Sequence, residues 1–261
     1  MPLAARIART SAAGNTTIRR RIFHSPRLGL SVSASSGAVA FASTTAPAVA
    51  ADKNETTKIQ STRKWLDKIV IGEKLCPFAF TPLNEGKIRI VASNATTAEQ
   101  AVVDIQREVQ ELMLQPPPPP RHETTLVVFD YYEGAFVQDF LEFVRLSWTL
   151  QEEAIGDKFA QELQLVLFHP LATHQTYGAM PEDEHDDTAA ADYTIRSPYP
   201  TVHLLREVDV MKAVTSGYPN LEYLPSRNKA RLVQLGIRVC QQRLEDCYTQ
   251  DYGDDKSDAK Q

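Results

Sequence analysis

Thr124-Thr125-Leu126-Val127-Val128-Phe129, closed by Asp130, is a continuous run of β-branched and apolar residues too short for a helix of its own. Such a run reads as a strand buried on both faces, the kind found in parallel sheets covered by helices. Leu163 to Phe168, closed by His169-Pro170, repeats the pattern. Between the two, Phe136, Phe140, Phe143 and Val144 recur at helical spacing.

Upstream, Lys87 to Ala92 alternates as a strand after the turn residues Asn84-Glu85-Gly86. A helix follows it, opened by a capping box from Thr96 to Glu99 and striped by Val102, Ile105, Val109 and Leu112. Before it, Lys58 to Lys74 forms a first helix around Trp65, Leu66, Ile69 and Val70, stopped near Cys76 by Pro77. The order helix, strand, helix, strand, helix, strand implies right-handed βαβ crossovers. The fold class is therefore α/β, a mixed or mostly parallel sheet of about four strands flanked by helices. Ser93, Asp130 and His169 then share the carboxyl edge, where open α/β sheets bind ligands.

Asp192 to Glu207 is the least ordinary stretch, with Arg196, Ser197, His203, Arg206 and two tyrosines around Pro198 and Pro200. The prolines remove two backbone donors and push Ser197 and Tyr199 toward extended geometry, so a poorly laddered pocket wall is expected. If a helix follows Thr201, Glu207 lies about 6 Å from His203 and orients its ring. If a strand follows, they are about 13 Å apart, and Val202 and Leu204 face the core. Val208, Met211 and Val214 mark a short helix ending at Gly217. Ser226 is read as the cap of a long final helix with Val233, Ile237, Cys240, Leu244 and Cys247 on one face.

Residues 1–51 hold six arginines, no lysine, no acid and twelve Ser or Thr, the composition of a cleaved transit peptide. The arginine-spaced start favours a mitochondrial address, with a plastid as the alternative. Residues 52–250 are read as one α/β domain, and 251–261 as a disordered acidic tail. Residues 52–261 carry 22 basic and 33 acidic side chains, a net charge of about −11, which argues against a nucleic-acid partner. No apolar run approaches the ~20 residues that span a bilayer. The proline run Pro116 to Pro120 reads as a polyproline II spacer, and the acidic cluster from Glu182 to Asp187 as a solvated loop.

Arg196, Arg206 and Arg227, with Ser197 and Asn228, are candidates to hold an anionic ligand; the alternative is that they form internal ion pairs. Arg227 follows the expected cap Ser226, and a cation there opposes the helix dipole unless an anion is bound. His203 is the acid/base candidate, or a hydrogen-bonded structural histidine. Cys76 is a nucleophile or a lining thiol, and its place past a helix C-terminus disfavours the thiolate. His169 joins them as a catalytic candidate, while His169 and His174 match no standard zinc spacing, so no metal is assigned. The residues name no cofactor and no oligomeric state. The expected partner is a small anionic metabolite.

Leu75-Cys76-Pro77-Phe78-Ala79, the strand opening at Glu123, Phe168-His169-Pro170, the run from Arg196 to Glu207, and Arg227-Asn228 occur in an order that resembles one family. It is the domain of unknown function numbered 1415. The resemblance covers about Lys58 to Arg243 and implies a bacterial-type protein with an added organelle address. It brings no established activity. Ile195 stands where that family tends to have Asn, and the loop after His169 differs.

Overall fold

The computed structural model describes residues 53–114, 121–174 and 187–248. The expected transit peptide, the proline run, most of the acidic cluster and the tail lie outside the described residues.

Helix α1 (Lys53–Trp65) continues as a π-helical turn, Leu66–Ile71, so the first helix starts five residues earlier than the apolar stripe implies. After the short α2 (Phe80–Asn84) come β1 (Ile88–Ser93) and α3 (Ala98–Met113). The cap of α3 is Thr97, one residue later than expected. Its side chain accepts from the Gln100 amide while Gln100 reaches back to the Thr96 amide. Strand β2 is Thr124–Phe129, followed by α4 (Ala135–Gln138) and α5 (Phe140–Thr149). Asp139 caps α5 by accepting from the Leu141 and Glu142 amides. A π-helical turn (Leu150–Ile155) and α6 (Gly156–Phe159) lead into β3 (Leu163–Phe168).

A 3-10 segment, Asp187–Thr194, occupies the end of what reads as a long polar loop. Strand β4 (Thr201–Arg206) passes directly into α7 (Glu207–Val214), so His203 is on a strand and Glu207 opens a helix. Glu207 instead accepts from Gln164 at 2.6 Å. In α7 the buried residue is Val210, while Val208 and Met211 are exposed, reversing the expected face. The final helix is two helices, α8 (Leu224–Leu235) and α9 (Ile237–Glu245), broken at Gly236, whose φ of +81° favours glycine. Tyr223 caps α8, not Ser226, whose hydroxyl donates to the Tyr223 carbonyl from inside the first turn.

The four strands form one mixed sheet in the order β1-β2-β4-β3. β1 and β2 are parallel, and β4 lies antiparallel between β2 and β3. Strands β1, β2 and β3 therefore point the same way, and Ser93, Asp130, His169 and the start of β4 meet at one edge, as the alternation implied.

Each face of the sheet is covered. On one, Val127, Phe129, Val202, Leu204 and Leu163 pack against Ala101, Ile105, Val109 and Leu112 of α3 and Phe143, Leu146 and Leu150 from α5 onward. On the other, Ile88, Leu126 and Phe168 meet Trp65, Leu66, Ile69, Leu232, Cys240, Leu244 and Cys247. Cys240 and Cys247 are thus core residues, as their spacing implied. No helix among the described residues is long and apolar enough to cross a membrane.

Candidate functional site

The carboxyl edge is built from strand ends that leave polar groups behind them. Ser93 donates to Asp104 of α3 at 2.6 Å and accepts from the Ala95 amide, so it ties β1 to its helix. His169 is fully buried, its Nε2–H donating to the Val137 carbonyl (2.7 Å) and its Nδ1 accepting from the Leu171 amide (3.0 Å). Both ring nitrogens are committed to a neutral tautomer, and burial lowers the pKa. Tyr131, Phe140 and Phe143 surround the ring.

The proline stretch solves its own shortage of backbone donors with side chains. The Tyr199 carbonyl accepts from the buried Ser197 hydroxyl at 2.6 Å and from Thr201 at 2.8 Å, and the Pro198 carbonyl accepts from Tyr248 at 2.7 Å. Ser197 is therefore a brace for the wall. Arg196 also faces inward: its Nε donates to the Ala172 carbonyl (3.0 Å), its Nη2 is 3.7 Å from Asp192, and the guanidinium lies over the Tyr193 ring.

Arg206 lies at the opposite edge, a strand length of about 17 Å from the start of β4. It holds Asp209 at 2.9 Å and the His122 carbonyl. His203 sits mid-strand, paired with Leu126 and Val166. The Thr124 hydroxyl donates to the Leu204 carbonyl, so His203 Nε2–H must donate to Thr124 Oγ1 at 2.6 Å. Loss of water pushes the His203 pKa down to about 4.

Arg227 and Asn228 do something the spacing did not reveal. Arg227 donates to the Lys74 carbonyl at 2.7 Å, and Asn228 to the Leu75 carbonyl at 2.6 Å. Lys74 has φ +56°, a left-handed conformation uncommon for a non-glycine residue. The two side chains hold that turn, so Leu75-Cys76-Pro77 and Arg227-Asn228 are one physical unit. Buried Glu73 strengthens it by pairing with Arg231 at 2.9 Å and with Arg243. Burial pushes the Cys76 thiol up, against the weaker opposing effect of the Phe78 and Ala79 amides. Arg227 is the fourth residue of α8, and its guanidinium is turned away to the Lys74 carbonyl rather than capping the helix start.

The structure therefore does not gather the full candidate set in one place: Cys76, Arg227 and Asn228 share one turn, while His203 is mid-strand and Arg206 lies at the opposite edge. It gathers others. Lys58 of α1 is fully buried, with its Nζ 3.6 Å from Asp130 Oδ2. That ammonium has no hydrogen-bond partner among the described residues. Asp130 also accepts from the Tyr132 amide at 2.9 Å. Beside the pair, the Tyr199 phenol shares a hydrogen bond with Ser61, and burial together with the Asp130 charge raises its pKa. Lys58, Ser61, Thr62 and Trp65 fall at i, i+3, i+4 and i+7, one face of α1. That pattern was available: projecting the Trp65–Ile69 stripe back by helical steps reaches them. Lys58 stands at the expected start of the first helix, where a lysine is ordinarily solvated, and hydrophobic periodicity passes over polar residues.

Among the described residues, no three His, Cys, Asp or Glu side chains are grouped to hold a metal ion. Residues 57–242 match the family described as "Protein of unknown function (DUF1415)", and the chain belongs to it. Comparison with curated proteins and with solved structures gave no match.

Proposed function

We propose that this protein binds a small anionic metabolite at the carboxyl edge of its sheet and acts on it there, with Lys58 as the anion-holding cation. The observation that carries this is the Lys58 ammonium: fully buried, 3.6 Å from one carboxylate, and without a hydrogen bond among the described residues. An ammonium has three N–H donors, and burying it without acceptors is costly. An anion's oxygens beside Lys58 would supply them. The Tyr199 phenol, its pKa raised by burial, stays protonated at neutral pH and can donate to a ligand, and the Asp130 carboxylate, 3.6 Å from Lys58, can accept a proton. His203, neutral and committed to Thr124, shapes the sheet face in this scheme. The composition of residues 1–51 supports a mitochondrial setting, or a plastid one.

The test is a thermal-shift screen of phosphorylated and carboxylated metabolites against the native chain and Lys58→Met. A saturating ligand at about a hundredfold over its Kd adds about 3 kcal/mol to the native fold. The expected result is a shift in the native protein that Lys58→Met abolishes. No responding compound, or an equal shift in both proteins, overturns the proposal.

A second reading, a non-enzymatic binding or assembly module, is favoured by the arginines, since Arg196, Arg206 and Arg227 each bond to a backbone carbonyl. In that case Arg196→Ala and Arg227→Ala lose stability, and no compound in the screen responds.

A further inference from the structure

Resting on the site just proposed, we infer that the ligand is elongated, with hydrogen-bond acceptors at both ends, and that Thr62 and Trp65 read its far end. Three buried polar atoms without a partner among the described residues lie on one helix: Lys58 Nζ, Thr62 Oγ1 and Trp65 Nε1. Their residues are 0%, 0% and 2% exposed. Buried polar groups are ordinarily hydrogen-bonded, so three on one helix face identify a place where something polar is accommodated. Thr125 also has an unpartnered hydroxyl, but it stands alone on the other face of the sheet.

The three groups share a chemistry. An ammonium and an indole N–H only donate, and a hydroxyl donates or accepts. The strip calls for acceptors along its length. From its place over β1 and β2 it also reaches groups near three strand ends: Lys58 meets Asp130 after β2, Ser61 meets Tyr199 before β4, and the Trp65 ring packs edge-on against Phe168 of β3 at 5.1 Å. These are three consecutive strands in the sheet order. Seven residues of helix rise about 10 Å, so acceptors that serve both Lys58 and Trp65 must be spaced along a ligand of comparable length. A compact anion satisfies Lys58 alone. A dicarboxylate, or a phosphorylated carboxylate, places acceptors at Lys58 and again toward Thr62 and Trp65.

The experiment titrates the full chain calorimetrically with straight-chain dicarboxylates from succinate to suberate and with the monocarboxylates of matching length. One dicarboxylate should bind at least roughly tenfold tighter than its monocarboxylate, the value of one good hydrogen bond to a charged group. Thr62→Val and Trp65→Phe should each erase most of that preference and leave monocarboxylate binding in place. Lys58→Met should remove both. A direct reporter is available, because Trp65 and Trp148 are the two tryptophans and Trp148 is 71% exposed. In Trp148→Phe the emission of Trp65 should change as the dicarboxylate binds.

Equal affinity for mono- and dicarboxylates, or an unchanged preference in both variants, overturns the two-ended ligand while leaving the Lys58 site standing. Binding that leaves Trp65 emission unchanged also counts against it. No binding by any member of the series overturns the two-ended carboxylate, and the wider metabolite screen then decides the fate of the site itself.

Discussion

Helices α1 and α3 both lie on the sheet and both bury a charge, but they treat it oppositely. In α3 the buried face is apolar, Ala101, Val102, Ile105, Val109 and Leu112, and its one carboxylate, Glu108, is held by Arg89 at 2.9 and 3.5 Å. In α1 the inward face at Lys58, Ser61 and Thr62 is polar, and the Lys58 charge meets Asp130 only at 3.6 Å. A protein that needed only a lid for its second face would gain by making α1 resemble α3, because a buried ion pair replaced by apolar residues is often neutral or stabilising. On the proposed reading, that polar face serves the ligand rather than the fold.

Paired substitutions give the largest expected effect. Ile105→Ala in α3 should cost about 2–5 kcal/mol, from the lost burial and the cavity. Thr62→Val in α1 should change stability by no more than about 0.5 kcal/mol or raise it, since its hydroxyl has no partner to lose. Urea unfolding of both variants checks this, and a multi-kcal/mol loss in Thr62→Val would erase the contrast between the helices.

A smaller effect of up to about 3 kcal/mol concerns His203, which faces the same side of the sheet as α1. Its folded pKa is about 4 against an ordinary 6.5, so between those values the unfolded chain binds the proton and the folded chain does not. The contribution is fully present above pH 6.5 and is lost as pH falls toward 4. His203→Gln, which keeps a donor toward Thr124, should flatten that part of the stability curve. Burial lowers His169 and His174 in the same direction, so the native curve should retain some slope in the variant.

The apolar framework could be read from the residues. Strands β2 and β3 begin and end where their apolar runs do, and the carboxyl edge follows from the alternation of elements. What could not be read was set by contacts distant in sequence. Strand β4 slots between β2 and β3 because its register with both buries Val202 and Leu204, a choice no local pattern expresses. The arginines looked alike along the chain but found three different carbonyls, of Ala172, His122 and Lys74. Asp130 was visible at its strand end. Lys58 was not, because a lysine on an apolar stripe resembles a solvated helix end until the partner 72 positions away is known.

Native mass spectrometry of the full chain and of Lys58→Met, both purified without denaturation, tests the central claim most directly. The account predicts that the native protein carries a small acidic molecule, released on unfolding, that the variant lacks. Two bare spectra, or the same adduct on both proteins, would contradict it.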